Sequence, residues 1–415
     1  MFARFPAFRS RDFRLFWFGQ FVSLIGTWMQ NTVQPYVAYH LTGQPFYLGL
    51  IGFAGTIPTL FLTLPAGVLL EHLNKRHVVI AMQALMAVQA LVLAALALTG
   101  VLQIWHMLAL ALVLGAANAV EITARQAMIP DLVENGHLPN ALALNAAGFN
   151  LARVAGPVLA APFLLLVQNG GEGWAFLANG LSYLIVIASL FMLHTRPDAN
   201  AVHPKANHVR AFLDGQQFIR KSDLVSLLIL LSAVVGFFGF TAAQQIPVFA
   251  RDVLSSPGEA EALVASRNSA LVFALGVGAL VSSVMLSLFS NVRRKGILMS
   301  IGHFVFGASI VLAGLSRSFP LTLVAFVYIG WGQVTALNLT NQIIQIVVPS
   351  SLRARVFSTY LWALQGATPF GSLLMGWIAQ KYGAPTSALI AGAVCFITPL
   401  IIHLRTSSLR DFVDG

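Results

Sequence analysis

About a dozen stretches of mostly apolar residues follow one another along this chain, with only short polar connectors between most of them. A bilayer core about 30 Å thick offers no water to backbone amides, so a chain that crosses it as helices needs roughly 20 apolar residues per crossing. The stretches have that length. The spans expected are 15–39, 47–70, 78–99, 105–128, 141–167, 174–194, 224–250, 264–289, 297–315, 320–348, 356–380 and 386–404. The fold class expected is therefore an all-α membrane protein with twelve transmembrane helices, and the even count returns both termini to the same side.

Charge then gives the orientation. Only 9% of residues are charged and 57% are hydrophobic, against roughly 25% charged in a soluble domain. The net charge of +10 does not point to nucleic acid, because the basic residues lie in the connectors rather than on one solvated face. With the N-terminus in the cytoplasm, nineteen of the 24 Lys and Arg residues fall on that side, including Arg4, Arg9, Arg11, Arg14, Lys75, Arg76, Arg293 and Arg294. Arg251, Arg267, Arg317 and Lys381 fall outside, and Arg153 lies within a span. Basic residues in short loops resist translocation, so both termini are expected in the cytoplasm. Residues 1–14 carry four arginines and no small-residue cleavage site, so the first span is expected to remain as an anchor. The single cysteine, Cys395, excludes an internal disulfide.

The longest internal polar stretch, about 195–223, separates six spans from six. The expected organisation is an N-terminal six-helix bundle at 1–195, a cytoplasmic linker at 196–223 and a C-terminal six-helix bundle at 224–415. Landmarks repeat between the halves. Lys75-Arg76 is answered by Arg293-Arg294 at an offset of 218, Pro130 by Pro349 at 219, and Gly156-Pro157 by Pro369-Phe370-Gly371 at 212 between prolines. Three landmarks in one order predict two six-helix pseudo-repeats, an architecture suited to alternating access around a site near the midplane.

Two stretches carry a family resemblance. Gly67-Val-Leu-Leu-Glu71-His72-Leu-Asn74-Lys75-Arg76 resembles the signature loop of the major facilitator superfamily, with Glu71 where Asp is usual, His72 where Arg is usual and Asn74 where a second Gly is usual. Ala117 through Ala127, then Ile129-Pro130-Asp131-Leu132, Asn145, Asn150, Arg153 and Gly156-Pro157 resemble the branch of transmembrane secretion effectors that includes the enterobactin exporter. The resemblance covers about 8–405. It implies a secondary active transporter that exports a small siderophore- or drug-like molecule across the bacterial inner membrane by alternating access and proton antiport. The partners it implies are the lipid bilayer, the small-molecule substrate and protons; no cofactor, no nucleic acid and a monomer are expected. Gly148 and Gly156-Pro157 are similar to an element of proton-coupled antiporters, although Ala160 and Ala161 stand where paired glycines are usual; helix kinking and close packing are the alternative role.

Polar residues inside spans mark where a path could run. Gln20, Ser23, Thr27, Gln30 and Gln34 recur at spacings of 3 and 4 in the first span, which puts them on one face. Thr335, Asn338, Gln342 and Gln345 do the same in the tenth, with Gln333 and Asn341 flanking; Asn118, Glu121 and Arg125 do so in the fourth, and Gln244 and Gln245 sit near the outer end of the seventh. Spans one, four, seven and ten are those that line the cavity in the superfamily resembled. The substrate-cavity candidates are Gln30, Gln34, Asn118, Gln244, Gln245, Asn338, Asn341 and Gln342. Interhelical hydrogen bonding is the other use of such amides. Charges inside the membrane are costly and belong to a partner or a pathway. Glu121 and Arg125, at i and i+4, can pair, either as a gate with the Glu71–Arg76 loop or with Glu121 as a proton carrier. Arg153 either anchors the fifth helix or contacts an anionic substrate.

The ten histidines include no His-x-x-x-His pair, and there is no P-loop and no Gly-x-Ser-x-Gly element. A membrane-embedded lipid or glycan enzyme would need a second core acid or an acid with a histidine. The chain is therefore expected not to be an enzyme, with an importer or uniporter as the alternative within transport.

Overall fold

A computed structural model describes residues 5–69, 73–166, 170–194, 208–288 and 294–406. Among them the chain is helical throughout. The helices are α1 Arg11–Thr42, α2 Pro45–Leu69, α3 Lys75–Leu98, α4 Ile104–Met128, α5 Leu138–Leu165 and α6 Gly171–Phe191. They continue with α7 His208–Lys221, α8 Asp223–Val253, α9 Glu261–Leu288, α10 Lys295–Leu315, α11 Phe319–Val347, α12 Ser350–Tyr382 and α13 Ala384–Arg405. Ten of these are long and apolar enough to cross a membrane. The other two long helices, α1 with 32 residues and α12 with 33, have the length, but their polar residues dilute the apolar surface. Glu71 and Arg293 lie outside the described residues.

The chain forms two compact units: 1–42, 54–203 and 260–269 in unit 1, and 43–53, 204–259 and 270–415 in unit 2. The first residues of α2 thus pack in unit 2, and the first turns of α9 in unit 1.

Within unit 1, α1 packs on α5 and α6, and α3 on α4 and α6. Small residues allow these approaches, since lipid gives no hydrophobic drive between helices and van der Waals contact must supply the attraction. Side chains at Gly19 and Gly26 of α1 would collide with Ser189 and Ser182 of α6, one at Gly156 of α5 with Trp28 of α1, and one at Gly115 of α4 with the Gly55 carbonyl of α2. Phe13, Phe16, Val79, Met128, Ile129 and Leu190 fill a core at the basic end. At the opposite end, the turns after α3 and α5 hold Gly100 and Gly170 at φ +72° and +77°, a region open to glycine at little cost.

Unit 2 uses the same device. A Cβ on Gly236 of α8 would collide with the Leu364 carbonyl of α12, and one on Gly371 of α12 with the Phe237 carbonyl of α8. Gly278 and Gly330 bring α9 against α11 in the same way. Helix α8 is irregular. It widens into π turns at Val235–Gly239 and Phe249–Val253, and Gln245 leaves helical geometry at φ −88°, ψ 3° just before Ile246-Pro247. Pro247 has no N–H to continue the ladder. The polar connector expected at 196–223 contains a helix, α7. It docks on α12 through Arg355 Nη1 to Asp214 Oδ2 at 3.2 Å and Gln216 Nε2 to Thr359 Oγ1 at 2.8 Å.

Candidate functional site

In unit 1 the polar side chains converge. Glu121 of α4, 3% exposed, accepts through Oε1 from Gln83 Nε2 of α3 at 2.9 Å and from Arg125 Nε one turn on at 3.1 Å. Arg125, also buried, reaches Asn145 Oδ1 of α5 at 3.3 Å. The acid is thus held by two donors on a single oxygen, one from α3 and one from its own helix.

One turn and more toward the other end of the unit, Gln30 Oε1 accepts from Asn179 Nδ2 of α6 at 2.7 Å, and Gln30 Nε2 donates to Gln34 Oε1 at 3.2 Å and to Gln89 Oε1 of α3 at 3.4 Å. Ser182 Oγ donates to the Asn179 carbonyl at 2.7 Å, and Thr27 and Tyr183 hydroxyls meet at 3.1 Å. Gln30 and Gln34, expected to face water, are therefore buried, at 1% and 5% exposure; Gln30 bonds to α3 and α6, and Gln34 is held by Gln30 one turn away on α1. Stripe periodicity identifies a shared face but not whether water or another helix meets it. Gln83, Gln89, Asn179 and Ser182 were not singled out from the sequence. Their signal was present: Gln83 and Gln89 in α3, and Asn179 and Ser182 in α6, are polar residues within mostly apolar spans. Asn118 is half-buried on α4.

Below this, the described end of the signature loop, residues 73–76, is a set of caps. Asn74 accepts at Oδ1 from the Arg76 and His77 backbone N–H groups at 3.1 and 3.3 Å, so the residue that departs from the usual Gly caps α3. Lys75 Nζ pairs with Asp131 Oδ2 at 3.0 Å, and the Arg76 guanidinium donates to the Phe191 and Leu193 carbonyls at 2.8 and 3.1 Å at the end of α6. Cations at a helix C-terminus complement its dipole. Gly67 lies in α2. On α5, the Arg153 guanidinium sits 5.5 Å from the Trp28 ring centroid of α1, beside the Gly156 contact, with Pro157 buried.

In unit 2, Asn338, Gln342 and Gln345 are exposed along one face of α11, and Asn341, half-buried, accepts from Gln345 Nε2 at 2.5 Å. The same face is apolar in its first half, with Leu321, Val324 and Tyr328 exposed. Thr335 is buried and meets Ser282 Oγ of α9 at 2.7 Å. Gln244 lies against Gly52 of α2, and both Gln244 Oε1 and the buried Gln245 Oε1 have no hydrogen-bond partner. His303 of α10 is buried, with Nδ1 3.0 Å from the Met299 carbonyl and Nε2 unpartnered. No group of three His, Cys, Asp or Glu able to hold a metal occurs among the described residues.

Known proteins place this arrangement. The sequence model of the family described as transmembrane secretion effector, a major facilitator group, matches residues 2–412. The staphyloferrin A transporter of Staphylococcus aureus is 21% identical over 96% of this chain and 97% of its own. Macrolide efflux protein A of Streptococcus pyogenes is 21% identical over 96% and 98%. Among solved structures, a bacterial homologue of the human lysosomal transporter Spinster superposes with TM-score 0.74 at 13% identity, covering 98% of each chain. These are the relatives and fold of transporters, not of enzymes.

Proposed function

The chain belongs to the transmembrane secretion effector family of major facilitator transporters, and from that premise we propose that it is a proton-driven exporter of a small amphipathic molecule across the bacterial inner membrane. The single observation that carries the coupling is Glu121. Among the described residues it is the acid farthest from a helix end, and it is held by Gln83 and Arg125 inside unit 1. A buried acid with one partner cation can take up a proton when that partner moves to another acceptor, and Asn145 is already within reach of Arg125.

Twelve crossings in two six-helix repeats, 1–195 and 224–415 joined by 196–223, are the architecture proposed. Parallel packing supports it: α1 on α5 and α6 and α3 on α4 and α6 in unit 1, against α8 on α12 and α13 and α10 on α11 and α13 in unit 2. The Gly156 crossing of α5 on α1 likewise has its counterpart in the Gly371 crossing of α12 on α8. Both termini are assigned to the cytoplasm on the nineteen-to-four basic asymmetry, and one copy suffices for transport.

The path is assigned to Asn118, Gln244, Gln245, Asn338, Asn341 and Gln342, while Gln30 fixes α1 to α3 and α6. An amide face exposed over the second half of α11 is costly against lipid and cheap against water, which supports the assignment. Siderophores and drug-like molecules are the substrates to try first, because the relatives named above handle a staphyloferrin and macrolides.

The test is proton release from acidified, inside-out vesicles on addition of carboxylate siderophores, macrolides and cationic dyes. At least one class should collapse the gradient with the native chain. Gln342→Leu should cut that flux about tenfold, the loss of roughly 1.4 kcal/mol of binding, at unchanged membrane abundance. Unaltered flux in this variant and in Asn338→Leu would remove α11 from the path.

A further inference from the structure

A groove of about 750 Å³ runs between α1 and α6 on the surface of unit 1. Its mouth carries Arg11 and Arg14, one turn apart on α1, and its floor is apolar, with Phe18 and Val22 of α1 and Ile185 and Ala188 of α6. Phe18, Val22 and Ile185 are 56%, 37% and 50% exposed. Gly19 lies at the bottom, where its lack of a side chain lets α1 press on Ser189 and leaves the larger neighbours as walls.

The mouth is basic. Arg9 is exposed in the turn before α1, and the Arg11 side chain is 49% exposed. Arg11 Nη1 donates to the Met192 carbonyl at 3.4 Å, contacts His194 Nδ1 and lies 3.7 Å from Asp12 Oδ1. Arg14 Nη1 donates to the Phe8 and Arg9 carbonyls at 2.7 and 3.4 Å. Asp12, the one acid in this stretch, is buried and accepts from the His194 backbone N–H at 3.0 Å. Its charge is turned inward, and the arginines leave a net positive rim.

The depth identifies the occupant. Val22 lies eleven positions beyond Arg11, about 16 Å along the axis at 1.5 Å per residue. That is about half of a 30 Å hydrocarbon core, the depth of one leaflet. We propose that this groove is a binding site for an anionic phospholipid, its phosphate on Arg11 and Arg14 and one acyl chain along Phe18, Val22 and Ile185. Arginine matches phosphate through paired N–H donors, and basic pockets at the ends of transmembrane helices select anionic headgroups. A soluble anion would gain nothing from the apolar floor, and a neutral lipid nothing from the arginines.

The experiment is native mass spectrometry of the full chain in detergent, with palmitoyl-oleoyl phosphatidylglycerol or phosphatidylcholine added at equal concentration. One phosphatidylglycerol should be retained with a preference of about tenfold, the worth of a charge-assisted contact. Arg11→Gln should lower that preference at least about threefold, and Arg11→Gln with Arg14→Gln should bring it close to parity. Ala188→Trp, which fills the floor and leaves both arginines, should abolish retention of either lipid. Melting temperatures of the three variants separate loss of the site from loss of the fold, since Arg14 also braces the first turn. A native chain with no preference, an Arg11→Gln preference equal to the native one, native retention in Ala188→Trp, or displacement of the lipid by inorganic phosphate would each overturn the proposal.

Discussion

Glu121 illustrates how a charge survives inside a span: it takes a hydrogen bond from Gln83 and an ion pair from Arg125, both on its Oε1. Glu121→Gln keeps the shape and the Gln83 contact but leaves Arg125 without its counter-charge, at a cost of about 3 to 5 kcal/mol for a fully buried pair. If Glu121 carries the proton, this variant loses pH-driven uphill transport and keeps downhill substrate exchange, measured in the same proteoliposomes with and without a gradient. Loss of both modes together would make Glu121 a gate residue, and full pH-driven transport would end the proton assignment and turn attention to His303, whose Nε2 has no partner. At this scale the sequence revealed which residues are unusual but not what faces them. The spacing that puts Gln30 and Gln34 on one face is the same for a water-filled path and for an amide ladder to Gln89 and Asn179, because helical periodicity is a property of one helix and burial a property of its neighbours.

Helices were more legible than their irregularities. Apolar length located the long helices because it follows from bilayer thickness. It did not locate α7, whose 14 residues are too few to cross, or the π turns of α8, which arise where Gly236 lets α8 settle on the Leu364 carbonyl and where Pro247 breaks the ladder. At Gly236, Gly278, Gly330 and Gly371 the neighbour is a main-chain carbonyl, which leaves little room for added atoms. Gly371→Leu would drive a side chain into the Phe237 carbonyl. Overpacking costs roughly 1 to 3 kcal/mol where neighbours can yield, and here the neighbour is main chain. The detergent-solubilised variant should melt several degrees lower than the native chain, whereas Gly136→Leu, which meets open space, should melt within a degree or two of it. Equal melting of the two variants would show that α12 can retreat from α8 at no cost.

For the molecule as a whole, orientation rests on charge asymmetry and is open to a direct measurement. Cys395 is buried, so the one native thiol contributes little background to a labelling experiment. Cysteines at Val101, exposed after α3, and at His77, exposed at the start of α3, should react with an impermeant maleimide from opposite sides of intact cells and inside-out vesicles. Val101→Cys should label from the periplasm and His77→Cys from the cytoplasm; the reverse result would invert the topology and, with it, the direction of every coupling step proposed above.

The hydrogen bond from Asn179 to Gln30 joins residues 149 positions apart. On a ribosome adding 5 to 20 residues per second, α1 enters the membrane about 7 to 30 s before that partner on α6 is made. During that interval Gln30 and Gln34 have only each other on α1, and lipid offers polar side chains no partner. The first helix of this chain is therefore a dependent one. Its amides gain partners outside α1 only when α3 and α6 arrive, so an apolar residue at Gln30 is expected to ease the insertion of α1 while removing a contact from the finished fold.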